Sequence, residues 1–147
     1  MKLQDMIVPY IVVNVLALLL VWLAAKKPKL ARWASGVIFL AAAFINAHMA
    51  GKNPRVYVDS YGASAWLQIY RDFIHGFFSR ATPLLVLLIA AGQAICGVLL
   101  FTERLHKIGG LGAIIFLLAI APLGLGSAFP STLIMAVALL LALRKGR

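Results

Sequence analysis

Five apolar runs dominate the pattern of hydrophobic and polar positions along this chain. A helix that crosses a bilayer needs about 20 mostly apolar residues. The runs predict transmembrane helices over 7–25, 33–50, 83–101, 108–123 and 130–143. The last two come from one apolar stretch, 108–143, which would be roughly 54 Å long as a single helix. Because the hydrocarbon core is only about 30 Å thick, this stretch must fold back, and Pro122, Gly124 and Pro130 mark the turn.

An outer segment, 51–80, separates the second and third runs. Its second half, 63–79, alternates apolar and polar residues at spacings of three and four, which predicts an amphipathic helix. The apolar positions of that helix are Trp66, Leu67, Tyr70, Phe73, Ile74, Phe77 and Phe78. The first half, 51–61, contains Asn53-Pro54 and two tyrosines, so it predicts a turn or short re-entrant stretch at the headgroup level.

Composition assigns the chain to the integral membrane proteins. Of its 147 residues, 63% are hydrophobic and 12% are charged, against roughly a quarter charged in soluble domains. The length suits a single domain spanning 1–147. We therefore expect an all-α, polytopic membrane bundle with an outer amphipathic helix. The only cysteine, Cys96, excludes an intramolecular disulfide.

Charge placement predicts the topology. The formal net charge is +10, but the basic residues lie in short clusters between apolar runs, which excludes a nucleic-acid surface and fits topology signals and anionic lipid headgroups. One side of the predicted membrane carries nine of them: Lys26, Lys27, Lys29, Arg32, Arg104, Lys107, Arg144, Lys145 and Arg147. The other side carries five: Lys2, Lys52, Arg55, Arg71 and Arg80. The positive-inside rule then places the C-terminus in the cytoplasm, and the N-terminus and the outer segment outside.

The polar face of the predicted outer helix is a candidate site. Arg71, Asp72 and His75 lie within one turn of each other, so they would form a proton-handling or ligand-binding cluster. The alternative is a hydrated surface whose ion pairs are each worth at most about 1 kcal/mol. Asn46 and His48, at the outer end of the second run, would join the cluster if the outer helix folds over the bundle. Two histidines could also ligate a haem or a metal, but ordinary interfacial histidines are favoured.

Gln93 is the clearly polar residue in the middle of a predicted span. Its amide needs hydrogen-bond partners in hydrocarbon, so it should face the bundle interior. It would either join helices or donate to a ligand, for example a quinone carbonyl. The candidate ligand-binding residues are thus Asn46, His48, Arg71, Asp72, His75 and Gln93.

The sequence carries no CxxC, no HExxH and no phosphate-binding glycine loop, and its carboxylates map to helix ends and loops. No catalytic or metal-ligating residue is therefore predicted. A small proton-coupled exporter is disfavoured because that class relies on a carboxylate embedded in the membrane.

Over 33–143 the chain resembles the DoxX-like family of small bacterial membrane proteins. The shared features are an outer segment leading into the next span, the small-residue stretch 88–100 (LIAAGQAICGVLL), the basic link 103–107, and a closing apolar hairpin. Many relatives carry a glutamate where Gln93 stands.

The resemblance implies a four-helix bundle, here with 7–25 as an added leading helix, in a bacterial inner membrane. Some family members are linked to quinone-coupled sulfur oxidation or oxidative-stress complexes. We therefore expect an accessory subunit of a membrane redox complex, with a lipid- or quinone-binding cleft on the outer side and a redox protein as partner. The alternatives are a non-catalytic scaffold that packs against partner helices and a small-solute transporter formed by homo-oligomerisation.

Overall fold

The computed structural model describes residues 3–146 and contains seven α-helices in that range. They are α1 (Leu3–Lys26), α2 (Pro28–Lys52), α3 (Arg55–Ser64), α4 (Gln68–Phe73), α5 (Thr82–Phe101), α6 (His106–Ile120) and α7 (Ser131–Lys145). A π-helical turn, Ile74–Phe78, continues α4, and a 3₁₀ helix, Ala121–Ser127, follows α6. The described part of the chain has no strand, so the predicted all-α bundle is confirmed.

The five long helices form a closed ring. In order around it, α1 contacts α2, α2 contacts α5, α5 contacts α6, α6 contacts α7, and α7 returns to α1. The α7 helix also contacts α2 across the ring, and small side chains on it such as Ala138 and Ala142 are almost fully buried. The leading helix α1 is therefore an integral wall of the bundle, because it packs along the whole of α7.

Within the described range, four helices are long and apolar enough to cross a membrane: Ile7–Lys26, Pro28–Lys52, Thr82–Phe101 and His106–Gly124. They match the first four predicted spans, although α2 begins five residues earlier than predicted because Pro28 starts it within the basic cluster. The fifth predicted span, 130–143, falls on α7, whose 15 residues extend about 22 Å. Large apolar side chains such as Phe44 and Ile115 cover the outside of the bundle, as lipid-facing surfaces require.

Glycines allow the helices to approach closely. A Cβ atom on Gly97 of α5 would lie 3.1 Å from the Gly36 carbonyl oxygen of α2, and one on Gly110 of α6 would lie 2.5 Å from Leu143 of α7. The small-residue faces of these helices are therefore used within the chain. Gly92 differs, because no side chain and no backbone of another helix lies within 4 Å of the place its Cβ would take, apart from its two chain neighbours.

The outer segment differs from its prediction. The stretch predicted as a turn is helix α3 from Arg55 onward, and only Asn53 and Pro54 form the turn. The prediction of a single helix over 63–79 is wrong at its beginning. Residues 65–67 are not helical, and α4 begins at Gln68. A tertiary contact explains the break: the Trp66 backbone N–H donates to the Pro122 carbonyl oxygen at 2.9 Å.

The π-helical turn then divides the predicted apolar face between two environments. Gly76 has non-helical backbone angles inside it. Ile74 and Phe78 are buried in the bundle, whereas Phe73 and Phe77 remain exposed. One face of this helix therefore packs on the bundle, and a second apolar face stays exposed.

Candidate functional site

A cavity of about 220 Å³ lies between the two helices of the outer segment, α3 and α4, and the ring of long helices. Its walls are mostly aliphatic and aromatic, with polar groups contributed by α2, α3, α4 and α5. The lining residues are Asn46, Tyr57, Tyr61, Tyr70, Phe73, Ile74, Phe78, Val86, Ile89, Gln93, Phe116, Ala119, Ile120 and Leu123. Phe73 and Ala119 are also exposed on the outside of the protein, so the cavity reaches the surface of the bundle.

A chain of hydrogen bonds forms one wall of this cavity. The Tyr57 hydroxyl donates to Asn46 Oδ1 at 2.7 Å, and Asn46 Nδ2 donates to Gln93 Oε1 at 2.7 Å. Tyr57 is 8% exposed and Gln93 is 6% exposed. The three residues come from α3, α2 and α5, so this chain joins the outer segment to two long helices at one point.

The chain of amides also determines what the cavity offers to a ligand. Among the described residues, the Gln93 amide nitrogen has no hydrogen-bond partner, so it is a donor available on the cavity wall. Rotating both amide groups by 180° reverses the direction of both bonds. Gln93 Nε2 then donates to Asn46 Oδ1, and Asn46 Nδ2 donates to the Tyr57 hydroxyl oxygen. In that arrangement Gln93 presents an acceptor and Tyr57 a free hydroxyl. The wall can therefore pair with either an acceptor or a donor.

Two tyrosines of α3 place phenol groups beside the amides. Tyr57 and Tyr61 are one turn apart, with ring centroids separated by 5.7 Å. Burial raises the pKa of Tyr57, and burial together with the neighbouring Tyr57 raises the pKa of Tyr61 to about 12. Both phenols are therefore neutral at physiological pH and act as hydrogen-bonding groups in an apolar surrounding.

Tyr70 closes the cavity on the side of the outer helix. Its hydroxyl donates to the Ala119 carbonyl oxygen at 2.7 Å, which ties α4 to α6. The bond joins two lining residues. The position of α4 over the cavity is thus fixed by one polar contact and by the buried Ile74 and Phe78 side chains.

The structure brings two of the six predicted site residues together. Asn46 and Gln93 are hydrogen-bonded on the cavity wall, whereas His48 lies two positions farther along α2. Two helical positions correspond to about 200° of rotation, so a helix that turns Asn46 toward α5 turns His48 away. His48 is exposed and stacks on Phe44 with ring centroids 6.2 Å apart.

The other three predicted residues, Arg71, Asp72 and His75, are exposed on the outer helix and do not line the cavity. Arg71 Nε donates to the Ala65 carbonyl oxygen at 2.8 Å. Asp72 accepts a bond of 2.7 Å from the Gln68 amide.

His75 lies over Gly62 of α3, where a Cβ atom would come within 2.7 Å of the imidazole. Its ring therefore packs α3 against the outer helix. The π-helical turn begins at Ile74 and changes the three-residue spacing on which the predicted pairing of Asp72 with His75 depended.

Tyr57, Tyr61 and Tyr70 are lining residues that the sequence analysis did not select. The first two were predicted at the headgroup level, but Tyr57 is buried. One signal was present: a buried tyrosine needs a partner for its hydroxyl, and the amides of Asn46 and Gln93 in the predicted spans needed partners too.

Comparison of this chain with protein-family models, curated proteins and solved structures finds no match. Across residues 3–146, no group of three or more His, Cys, Asp or Glu side chains is placed to hold a metal ion. The functional argument therefore rests on the geometry of the cavity.

Proposed function

We propose that this protein is a DoxX-like integral membrane protein that binds the ring of a quinone, or a lipid, as an accessory subunit of a membrane redox complex. The observation that carries the proposal is the cavity, with apolar and aromatic walls and the Tyr57–Asn46–Gln93 chain on one side. Ligand sites in proteins typically combine such walls with a few polar groups that fix orientation.

The volume limits the ligand. A cavity of about 150 Å³ accepts one benzene molecule, and this cavity has about 220 Å³. It therefore suits a single six-membered ring with small substituents, or the end of an acyl chain. A haem macrocycle is much larger than either.

The polar wall favours a ring with oxygen substituents over an acyl chain. A quinone carbonyl would accept a hydrogen bond from the Gln93 amide nitrogen, whereas an acyl chain would leave that donor unpaired. The reversible direction of the amide chain also suits a ligand that alternates between carbonyl and hydroxyl forms. Because the quinone carries the redox chemistry itself, the part left to this chain is binding and orientation.

Native mass spectrometry of the protein purified in mild detergent is the first test. It reads retained small molecules, bound partner subunits and homo-oligomeric state in one measurement. We expect a co-purifying quinone. Retention of phospholipid without a quinone would contradict the quinone and leave only the lipid alternative, and retention of neither would contradict both.

Titration with a short-chain quinone then tests the site assignment. Gln93→Leu removes the proposed hydrogen bond and should raise Kd about fivefold, the equivalent of about 1 kcal/mol. Gln68→Leu is a matched control, since Gln68 is an exposed amide outside the cavity. His48→Ala should also leave Kd unchanged, because His48 is exposed and does not line the cavity. Equal Kd values for Gln93→Leu and the parent would refute the assignment.

The charge distribution supports the proposed orientation in a bacterial inner membrane. The ends of α1, α5 and α7 meet the beginnings of α2 and α6 at one end of the bundle, where Lys145 Nζ donates to the Ala25 carbonyl oxygen. In the described range that end carries eight Lys and Arg residues and one carboxylate, Glu103. The opposite end carries four Lys and Arg residues and three carboxylates. We place the basic end in the cytoplasm, so a fluorescent protein fused to the C-terminus should fold and fluoresce.

A scaffold or assembly protein is the second candidate. The observation that favours it is the open space in front of Gly92, on an exposed face of α5 within the membrane. A partner helix could approach closely there. Gly92→Cys in a Cys96→Ser background should then crosslink to a partner protein, whereas the absence of any protein crosslink would argue against a scaffold.

A further inference from the structure

A second concave site lies at the junction of α1 and α2, at the basic end of the bundle, and shares no residue with the cavity. It is a groove of about 330 Å³ lined by Lys27, Pro28, Lys29, Leu30 and Trp33. The groove is open along the outside of the protein. Leu30 is 46% exposed and Trp33 is 38% exposed, so its floor is apolar surface that faces the bilayer.

The cations beside this groove differ in their availability. Lys29 Nζ lies 3.2 Å from Glu103 Oε1 and 5.1 Å from the Trp33 ring centroid. Arg32, 5% exposed, also pairs with Glu103, at 3.1 Å. These two bonds hold the pKa of Glu103 below its usual range. Lys27 makes no ion pair within residues 3–146, so it is the lining cation with a free charge.

The first turn of α2 adds backbone donors to the same place. Lys27 is its N-cap residue and makes no side-chain capping bond. Pro28 has no N–H, and the Ala31 N–H is bonded to the Lys27 carbonyl oxygen at 3.0 Å. The N–H groups of Lys29 and Leu30 lack an acceptor within the helix, since they belong to its first turn. A free ammonium and two backbone donors therefore adjoin an apolar groove.

We propose that this groove binds an anionic phospholipid, with its phosphate against Lys27 and the first turn of α2 and one acyl chain along Leu30 and Trp33. Charge complementarity selects this occupant, because the surrounding end of the bundle carries eight cations and one carboxylate. The aromatic ring marks the headgroup level, where tryptophan is enriched. A soluble anion would use the donors but not the apolar floor, and a neutral lipid would use the floor but not Lys27.

Quenching of Trp33 by brominated lipids tests the proposal. Trp22→Phe and Trp66→Phe leave Trp33 as the one tryptophan of the chain. In phosphatidylcholine vesicles containing a minor fraction of acyl-brominated phosphatidylglycerol, quenching should exceed that from the same fraction of brominated phosphatidylcholine. Equal quenching by the two lipids would overturn the proposal.

Substitutions separate a defined site from general surface attraction. Lys27→Gln should lower the preference for phosphatidylglycerol about fivefold. Lys107→Gln is the matched control, since it removes the same charge from the same end but lies outside the groove. An equal effect of both would show a surface potential and overturn the site. Relief of quenching by inorganic phosphate would assign the donors to a soluble anion and also overturn it.

A second measurement needs no tryptophan substitution. Native mass spectra of the parent, Lys27→Gln and Lys107→Gln proteins, released from equal mixtures of the two lipids, report the fraction that retains phosphatidylglycerol. We expect loss of retention in Lys27→Gln alone. Neither experiment depends on the quinone proposal, because the groove and the cavity share no residue.

Discussion

The hydrogen-bond chain on the cavity wall predicts a specific pattern of non-additive stability. Asn46 takes part in two bonds of 2.7 Å, and Gln93 takes part in one of them. Gln93→Leu leaves the Asn46 amide nitrogen unpaired, whereas Asn46→Leu leaves both the Tyr57 hydroxyl and the Gln93 carbonyl oxygen unpaired. The adjoining cavity of about 220 Å³ accommodates the added methyl groups, so overpacking contributes little.

The magnitudes follow from the number of groups left unpaired. Side-chain hydrogen bonds within membranes are worth about 0.6 kcal/mol on average and about 1.7 kcal/mol at most, and an orphaned buried group costs about 1–3 kcal/mol. We expect Gln93→Leu to lower the free energy of unfolding by about 1–2 kcal/mol and Asn46→Leu by about 2–4 kcal/mol. In the Asn46→Leu background, Gln93→Leu should cost nothing further, because its bond is already broken.

Reversible unfolding of the full chain by sodium dodecyl sulfate in mixed micelles, followed by circular dichroism, measures these free energies. The coupling between the two substitutions should be about 1–2 kcal/mol. Gln68→Leu, at an exposed amide, should change stability by less than about 0.5 kcal/mol. Additivity of the two cavity substitutions within about 0.3 kcal/mol would refute the Asn46–Gln93 bond.

Two further predictions use the same assay. Gly97→Ala should destabilise the protein by about 1–3 kcal/mol, because the new methyl group would lie 3.0 Å from Leu40 and 3.1 Å from the Gly36 carbonyl oxygen. Gly92→Ala is the control: it lies on the same helix but faces open space, so it should be neutral or stabilising. Equal effects of the two substitutions would contradict the close packing of α2 against α5 at Gly97. Stability should also fall as pH rises above 10, because the unfolded Tyr61 phenol ionises near pH 10 while its folded pKa is about 12. Tyr61→Phe should reduce this slope, and an unchanged slope would count against the burial of Tyr61.

The candidate site was predicted in part, and helix geometry explains which part. Gln93 was expected to face the interior because an amide in the middle of a span needs partners, and it does. Asn46 and His48 were expected to act together, yet two positions on one helix point in nearly opposite directions. Helical periodicity alone would have separated them. The choice of Asn46 as the interior residue depended on which face of α2 meets α5.

The outer segment shows where local patterns stop being informative. The apolar spacing of 63–79 predicted one helix, but a hydrogen bond from Trp66 to Pro122 outweighs helix continuation at that point. The partner lies more than fifty residues away in sequence, so no window of local residues contains it. The π-helical turn at Ile74–Phe78 was likewise not predicted from local spacing. It changes the positions of the side chains in the predicted cluster of Arg71, Asp72 and His75.

The pattern of apolar residues was enough to predict that this protein is a bundle of apolar helices. A run of about 20 apolar residues satisfies its backbone hydrogen bonds in a bilayer only as a helix, so composition and length suffice for that conclusion. The partner of Gln93, the division of the outer segment, and the cavity between α4 and the bundle became known only from the fold. These three features depend on the rotation of each helix about its axis and on contacts between distant segments. The sequence does not predict either of these, because the apolar faces of the helices are similar in composition.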